Sequence, residues 1–138
     1  MSGLVLDASS ALSWCFETEN SRQSDALIDK VAADGAVVPT IWSLELTNAL
    51  VKAERRRRIS RHDSEIFLAL MEELPINVDT ETSQRAFHET IALARNNAVS
   101  TYDASYLELA MRTKLPLATA DQALRRAAKR VSLLLADL

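Results

Sequence analysis

Ser100-Thr101-Tyr102-Asp103-Ala104 and Leu117-Ala118-Thr119-Ala120-Asp121 frame the stretch that decides the fold. Between them, Tyr102 to Thr113 carries Leu107, Ala110 and Met111 at the three- and four-residue spacing that gives a helix one apolar face. Asp103 falls in the first turn of that helix. Pro116 forbids its continuation, Leu117-Ala118 with the β-branched Thr119 reads as a short buried strand, and Asp121 follows the strand's carboxyl end at a new helix start. In open α/β sheets that carboxyl edge is where ligands bind. Either aspartate alone has an ordinary explanation, because an acid at a helix N-terminus suits the dipole and caps free N–H groups, worth about 0.3–2 kcal/mol. An argument for chemistry therefore needs more acids at the same edge.

The chain before this stretch supplies two. Leu4-Val5-Leu6 is a short apolar run that stops at Asp7, and Ala8-Ser9-Ser10-Ala11-Leu12 turns into a helix. As the first strand of a parallel sheet it ends at the edge where Asp121 lies, so Asp7 and Asp121 are expected to converge. Ser21 to Ala33 is an amphipathic helix, Ala36-Val37-Val38 a second strand, and Ile41 to Arg57 a long helix with Leu44, Leu46, Ala49 and Leu50 apolar. Glu45 sits inside that helix between two leucines, beyond the reach of the capping and dipole arguments, with Asn48 three residues on near the same face. A carboxylate among apolar neighbours needs a partner.

Ser60-Arg61-His62-Asp63 reads as a capping box that opens a helix running to Leu74. Pro75 to Asp79 alternates as a half-buried strand should. Thr80-Glu81-Thr82 begins a helix that ends at Asn96-Asn97, Gln122 to Arg130 is a basic helix, and Val131 to Leu135 reads as a last strand. Strands alternating with helices predict an α/β fold, a parallel sheet of four to five strands with surrounding helices, in one domain spanning residues 1–138.

Composition narrows the chemistry. Of 138 residues 48% are hydrophobic and 25% charged, enough for a substantial core. No stretch approaches the ~20 apolar residues of a membrane span, and the N-terminus lacks a basic leader, so a soluble cytoplasmic protein is expected. With Cys15 as the sole cysteine, an intrachain disulfide is excluded, and His62 and His88 lack the spacing of a helical zinc pair. The net charge of -3 does not advertise a nucleic-acid binder, so a polyanionic substrate would need local basic surface. The candidates for it are Arg55, Arg56, Arg57, Arg58, Arg61, Arg112, Lys114, Arg125 and Arg126, although arginines that end a helix also suit its dipole.

Asp7, Glu45, Asp103 and Asp121 in one cleft would repel one another. The cluster is tolerable if it holds a hard divalent cation, since Mg2+ or Mn2+ takes carboxylate and water oxygens and needs no His or Cys. At these residues the sequence resembles a PIN-domain ribonuclease of the VapC type, the toxin of a VapBC toxin-antitoxin pair. The resemblance is carried by Val5-Leu6-Asp7-Ala8-Ser9, by Leu44-Glu45-Leu46-Thr47-Asn48-Ala49-Leu50, by Tyr102-Asp103-Ala104-Ser105-Tyr106-Leu107-Glu108-Leu109-Ala110, and by Leu115 to Asp121. It implies a PIN-like three-layer fold, the four acids as metal-binding and catalytic residues, and Ser9 and Thr119 as supports beside Asn48. It also implies RNA as substrate, a homodimer, and an antitoxin partner through which the complex binds operator DNA. Trp14, Phe16 and Trp42, three of few aromatic residues, are the expected antitoxin anchors. The turns before the last two strands, where that family often has glycine, are Thr113-Lys114 and Lys129-Arg130 here.

Other classes fit less well. A response-regulator receiver expects paired acids after the first strand and a lysine after the last, and a haloacid-dehalogenase-like phosphatase expects an acid where Ser9 stands. A non-catalytic α/β binding module, or another metal-dependent phosphoryl-transfer protein, is the alternative that a cation titration separates.

Overall fold

Leu4, Val5 and Leu6 form β1, wholly buried at the centre of a four-stranded parallel sheet ordered β3-β2-β1-β4. The computed structural model describes residues 3–16 and 21–135. In chain order the remaining elements are α1 (Ala8–Leu12), α2 (Ser21–Asp34), β2 (Ala36–Val38), α3 (Trp42–Arg55), α4 (Arg61–Glu73), β3 (Ile76–Val78), α5 (Thr82–Arg85), a π-helical turn (Ala86–Thr90), α6 (Ile91–Asn97), α7 (Thr101–Thr113), β4 (Leu117–Ala118) and α8 (Gln122–Arg130). An all-parallel sheet buries both faces, which is why its inner strands are continuous apolar runs.

The strand order places β2 and β3 on one side of β1 and returns the chain to β4 on the other. The crevice where ligands bind in such sheets lies at the carboxyl end of the strands at that reversal, here between β1 and β4. Val5 pairs with Leu117 and Leu6 with Ala118, so Asp7 and Thr119 come next in register, and the Asp7 N–H donates to the Ala118 carbonyl at 3.0 Å. At the opposite edge β1 and β2 start close together. A Cβ on Gly3, whose φ is +114°, would stand 2.9 Å from the Gly35 carbonyl oxygen.

The expected α/β architecture is present, with four differences of detail. The last strand shrinks to a single bridge between Leu117 and Leu134, because Val131 and Ser132 are taken up by the turn after α8 and Ser132 has a φ of +60°. β3 does not alternate: Ile76 is half-buried while Asn77 and Val78 are exposed, as suits an edge strand. The helix expected from Thr80 to Asn97 is broken by the π-helical turn, and Phe87 within it is 85% exposed. Leu44, read as core, is 74% exposed, so the buried stripe of α3 is Trp42, Leu46, Leu50 and Ala53.

The Ser60 capping box forms as the sequence predicts, with Ser60 Oγ accepting from the Asp63 N–H and Asp63 Oδ2 accepting from the Ser60 N–H, both at 3.0 Å. Two helices end without glycine. Ala98 and Lys114 both cap their helices in the left-handed conformation, with φ of +53° and +58°. That region costs an L-residue roughly 1–2 kcal/mol that glycine does not bear. Ala98→Gly should therefore raise stability by about 1 kcal/mol, read as a thermal midpoint a few degrees higher. A lowered midpoint would show that the alanine methyl contributes packing worth more than the strain.

Candidate functional site

Asp7, at the end of the central strand, is 5% exposed, and its carboxylate is held by protein donors. Ser9 Oγ donates to its Oδ2 at 2.7 Å and Thr119 Oγ1 donates to the same oxygen at 2.6 Å. Thr119 also accepts the Asp121 N–H at 3.1 Å, and Ser9 accepts the Ala120 N–H at 3.0 Å. These hydroxyls join the ends of β1 and β4 into one polar knot. Asp121 caps α8, its Oδ2 accepting the Leu124 N–H at 2.8 Å. Asp103 lies in the first turn of α7, where Ser100 is the cap and accepts the Asp103 N–H at 3.0 Å.

Glu45 belongs to the first turn of α3, because that helix starts at Trp42; the dipole does reach it, contrary to the sequence expectation. Its partner is a residue to which sequence reasoning assigned no role. The Tyr106 hydroxyl, on a side chain with no exposure, donates to Glu45 Oε1 at 2.5 Å. The available signal was spacing, since Tyr106 is three residues after Asp103 and shares its helix face.

The acids feel one another. Burial pushes the Asp7 carboxyl up from its ordinary value, and the donors Thr119, Ser9 and the backbone amides of Ser9 and Ala8 pull it back. Glu45 is raised by partial burial; the Tyr106 bond lowers it, and the charges of Asp7 and Asp103 add to the rise. Asp103 is raised by partial burial and then by Asp121 and Asp7, against the Ser100 hydroxyl. The charge couplings therefore link all four acids into one site.

Among the described residues, no three His, Cys, Asp or Glu side chains close around a ready-made metal position. Asp7, Glu45 and Asp121 are each engaged by protein donors. A hydrated Mg2+ commonly takes only one or two carboxylates directly and keeps several waters. All-oxygen donors with raised affinity for positive charge fit such an ion, and Asp7, Glu45, Asp103 and Asp121 are the residues that would hold it.

The other sequence candidates divide. Asn48 is exposed, and among the described residues no side-chain hydrogen bond ties it to the acids. Arg112 is not free for a substrate: its guanidinium, 17% exposed, donates to Asp79 Oδ2 at 2.7 Å and Glu108 Oε2 at 2.9 Å, with Glu81 Oε2 at 3.3 Å. Asp79 is correspondingly held below its ordinary value, the hydrogen bond from Arg112 being the main cause. Arg125 is half-buried and donates to the Thr119 carbonyl oxygen at 3.0 Å, beside the polar knot. Arg55, Arg56, Arg57, Arg58, Arg61, Lys114 and Arg126 are exposed, Arg58 lying over the Phe16 ring at 5.0 Å. Trp42 is 6% exposed and belongs to the core, which corrects its reading as a surface anchor. Trp14 is half-buried and donates to the Ser24 carbonyl at 2.9 Å.

A buried aspartate thus stands at the reversal of a parallel α/β sheet, in a chain of charge couplings with three further acids. The family comparison names the class: the PIN domain matches residues 4–130, and the chain belongs to that family. PIN domains are generally metal-dependent nucleases. The crystal structure of PAE2754 from Pyrobaculum aerophilum has the same fold, with a TM-score of 0.62 and 22% identity over 92% of this chain and 84% of that one. No curated protein matches the sequence. Among the described residues no helix is long and apolar enough to cross a membrane.

The raised acids give the cation-free fold a pH signature. A carboxyl whose folded value lies above its unfolded one binds protons more readily when folded, so stability falls as pH rises from the ordinary carboxylate range through the raised values. Asp79 works in the other direction, but its contribution is lost only as pH falls below the ordinary range. Acidification of the cation-free chain toward the ordinary carboxylate range should thus raise its thermal midpoint, and saturating Mg2+ should suppress that rise. A midpoint of the cation-free chain that falls over that range would contradict the electrostatic description.

Proposed function

We propose that this chain is a Mg2+- or Mn2+-dependent endoribonuclease, the toxin of a VapBC-type toxin-antitoxin pair. The observation that carries the nuclease reading is the Asp7 carboxylate, buried between two hydroxyl donors and coupled to Glu45 and to Asp103, which in turn feels Asp121. A protein gains no stability from gathering acids in this way, and the arrangement makes sense as a cation site. When bound, the divalent ion would supply an activated water and neutralise charge on a phosphodiester.

The chain's own contributions follow from placement. Ser9 and Thr119 orient Asp7, and the bond from the Asp121 N–H to Thr119 keeps α8 in step with that hydroxyl. Arg125, anchored at the Thr119 carbonyl, supports backbone phosphate contact next to the acids. The exposed Arg55, Arg56, Arg57 and Arg58 at the end of α3 supply steering for RNA, although the protein as a whole is acidic. The toxin assignment rests on the motif resemblance, and it brings the further proposals of a homodimer, a cytoplasmic location and operator binding through the antitoxin. The exposed apolar residues of α3, Leu44 and Val51, lie on one helix face and suit a protein contact. The antitoxin inhibits, in this account, by seating on Trp14 and Phe16 and placing a basic side chain among the acids, in competition with the cation.

Purified protein should cleave single-stranded RNA only with Mg2+ or Mn2+. Asp103→Asn, which exchanges a carboxylate for a near-isosteric amide, should lower cleavage by at least about a hundredfold while the fold persists. Full activity in that variant would place the chemistry elsewhere. Divalent-cation binding without cleavage of any RNA would favour the binding-module alternative.

A further inference from the structure

Glu45 has the longest side chain of the four acids. Asp7 is buried at a strand end, and Asp103 and Asp121 sit at helix starts, while Glu45 is a half-buried side chain in the first turn of α3 with three rotatable bonds. Asp7 and Asp103 both repel it. Among the described residues one side-chain hydrogen bond holds it in the cleft, the Tyr106 O–H bond of 2.5 Å to Oε1, a length typical of a charge-assisted pair.

Tyr106 itself cannot move. Its side chain has no exposure and sits in the core with Leu107, Leu109 and Ala110 of α7. Asp103 stands one turn earlier on the same face of α7. A single buried ring thus ties α3, which carries Glu45, to the helix that carries Asp103.

We propose that Tyr106 is a positioning residue for cation binding: its hydroxyl engages Glu45 Oε1 and holds the carboxylate in the cleft, leaving Oε2 for the ion. This rests on the reading of the four acids as a divalent-cation site. The competing explanation runs the other way, with Glu45 serving only to satisfy a buried phenol. The two differ in what removal of the hydroxyl does to the ion. If Tyr106 positions Glu45, the loss acts entirely through that carboxylate; if it only packs, the loss has no specific path to the cation.

A double-mutant cycle read by Mn2+ binding separates them, using calorimetry on the full chain. Tyr106→Phe should weaken Mn2+ binding by roughly 10–100-fold, as loss of a ligand-orienting partner does. In a Glu45→Gln background the same substitution should cause no further loss. Equal weakening in both backgrounds, or unchanged affinity in the single variant, would overturn the proposal while leaving the cation site intact. An unaltered chain that binds no Mn2+ would overturn both. Should Tyr106→Phe not fold, fluorotyrosine labelling of the two tyrosines, assigned with Tyr102→Phe, gives a second readout by fluorine NMR. Mg2+ should then shift the Tyr106 resonance, and an unmoved resonance at saturating Mg2+ would reject the role.

Discussion

Burial of one carboxylate at the end of the central strand is the constraint from which the rest of the site follows. Asp7 leaves water at a cost that an unpaired charge could not sustain in a protein interior. Two hydroxyls and the local amides offset that cost, hydrogen bonds to a charged group being worth about 1.5–3 kcal/mol each. One hydroxyl comes from α1 and the other from the end of β4, which are adjacent only because β4 returns to the far side of β1. Strand order, parallel register and the polar knot are therefore one arrangement seen at three scales.

Two ways of handling buried acid stand side by side in this small domain. On the outer flank Asp79 and Glu108 are neutralised by Arg112, a closed set that braces α7 against the end of β3. Breaking such a set leaves uncompensated charge, which makes it structural. In the cleft Asp7, Glu45 and Asp103 receive hydroxyl and amide donors, and among the described residues no guanidinium or ammonium pairs with them. The contrast sets the acids of the cleft apart from the Arg112 cluster, whose carboxylates are paired within the protein.

Much of this was legible in the sequence. Short apolar runs ending in Asp7 and just before Asp121, and the Ser60 and Ser100 caps, are local signals, and local signals determine local structure. What escaped was long-range. Nothing near Arg112 in sequence reveals that Asp79 reaches it from another strand, so it read as free cationic surface. Trp42 read as a possible anchor because burial depends on which face of α3 meets the sheet, and Leu44 was misplaced for the same reason. Tyr106 was passed over inside a motif whose other residues had obvious roles. The final strand failed because a run of leucines establishes apolarity but not whether a turn consumes the residues needed to pair.

The central claim is that four acids distant in sequence make one cation site. Anomalous diffraction from crystals soaked in Mn2+ tests it most directly. The account predicts an anomalous peak in the cleft between β1 and β4, within coordination distance of at least one of Asp7, Glu45, Asp103 and Asp121 and lost in Asp7→Asn. Saturating Mn2+ that leaves this cleft without a peak, or a peak that persists unchanged in Asp7→Asn, would contradict it.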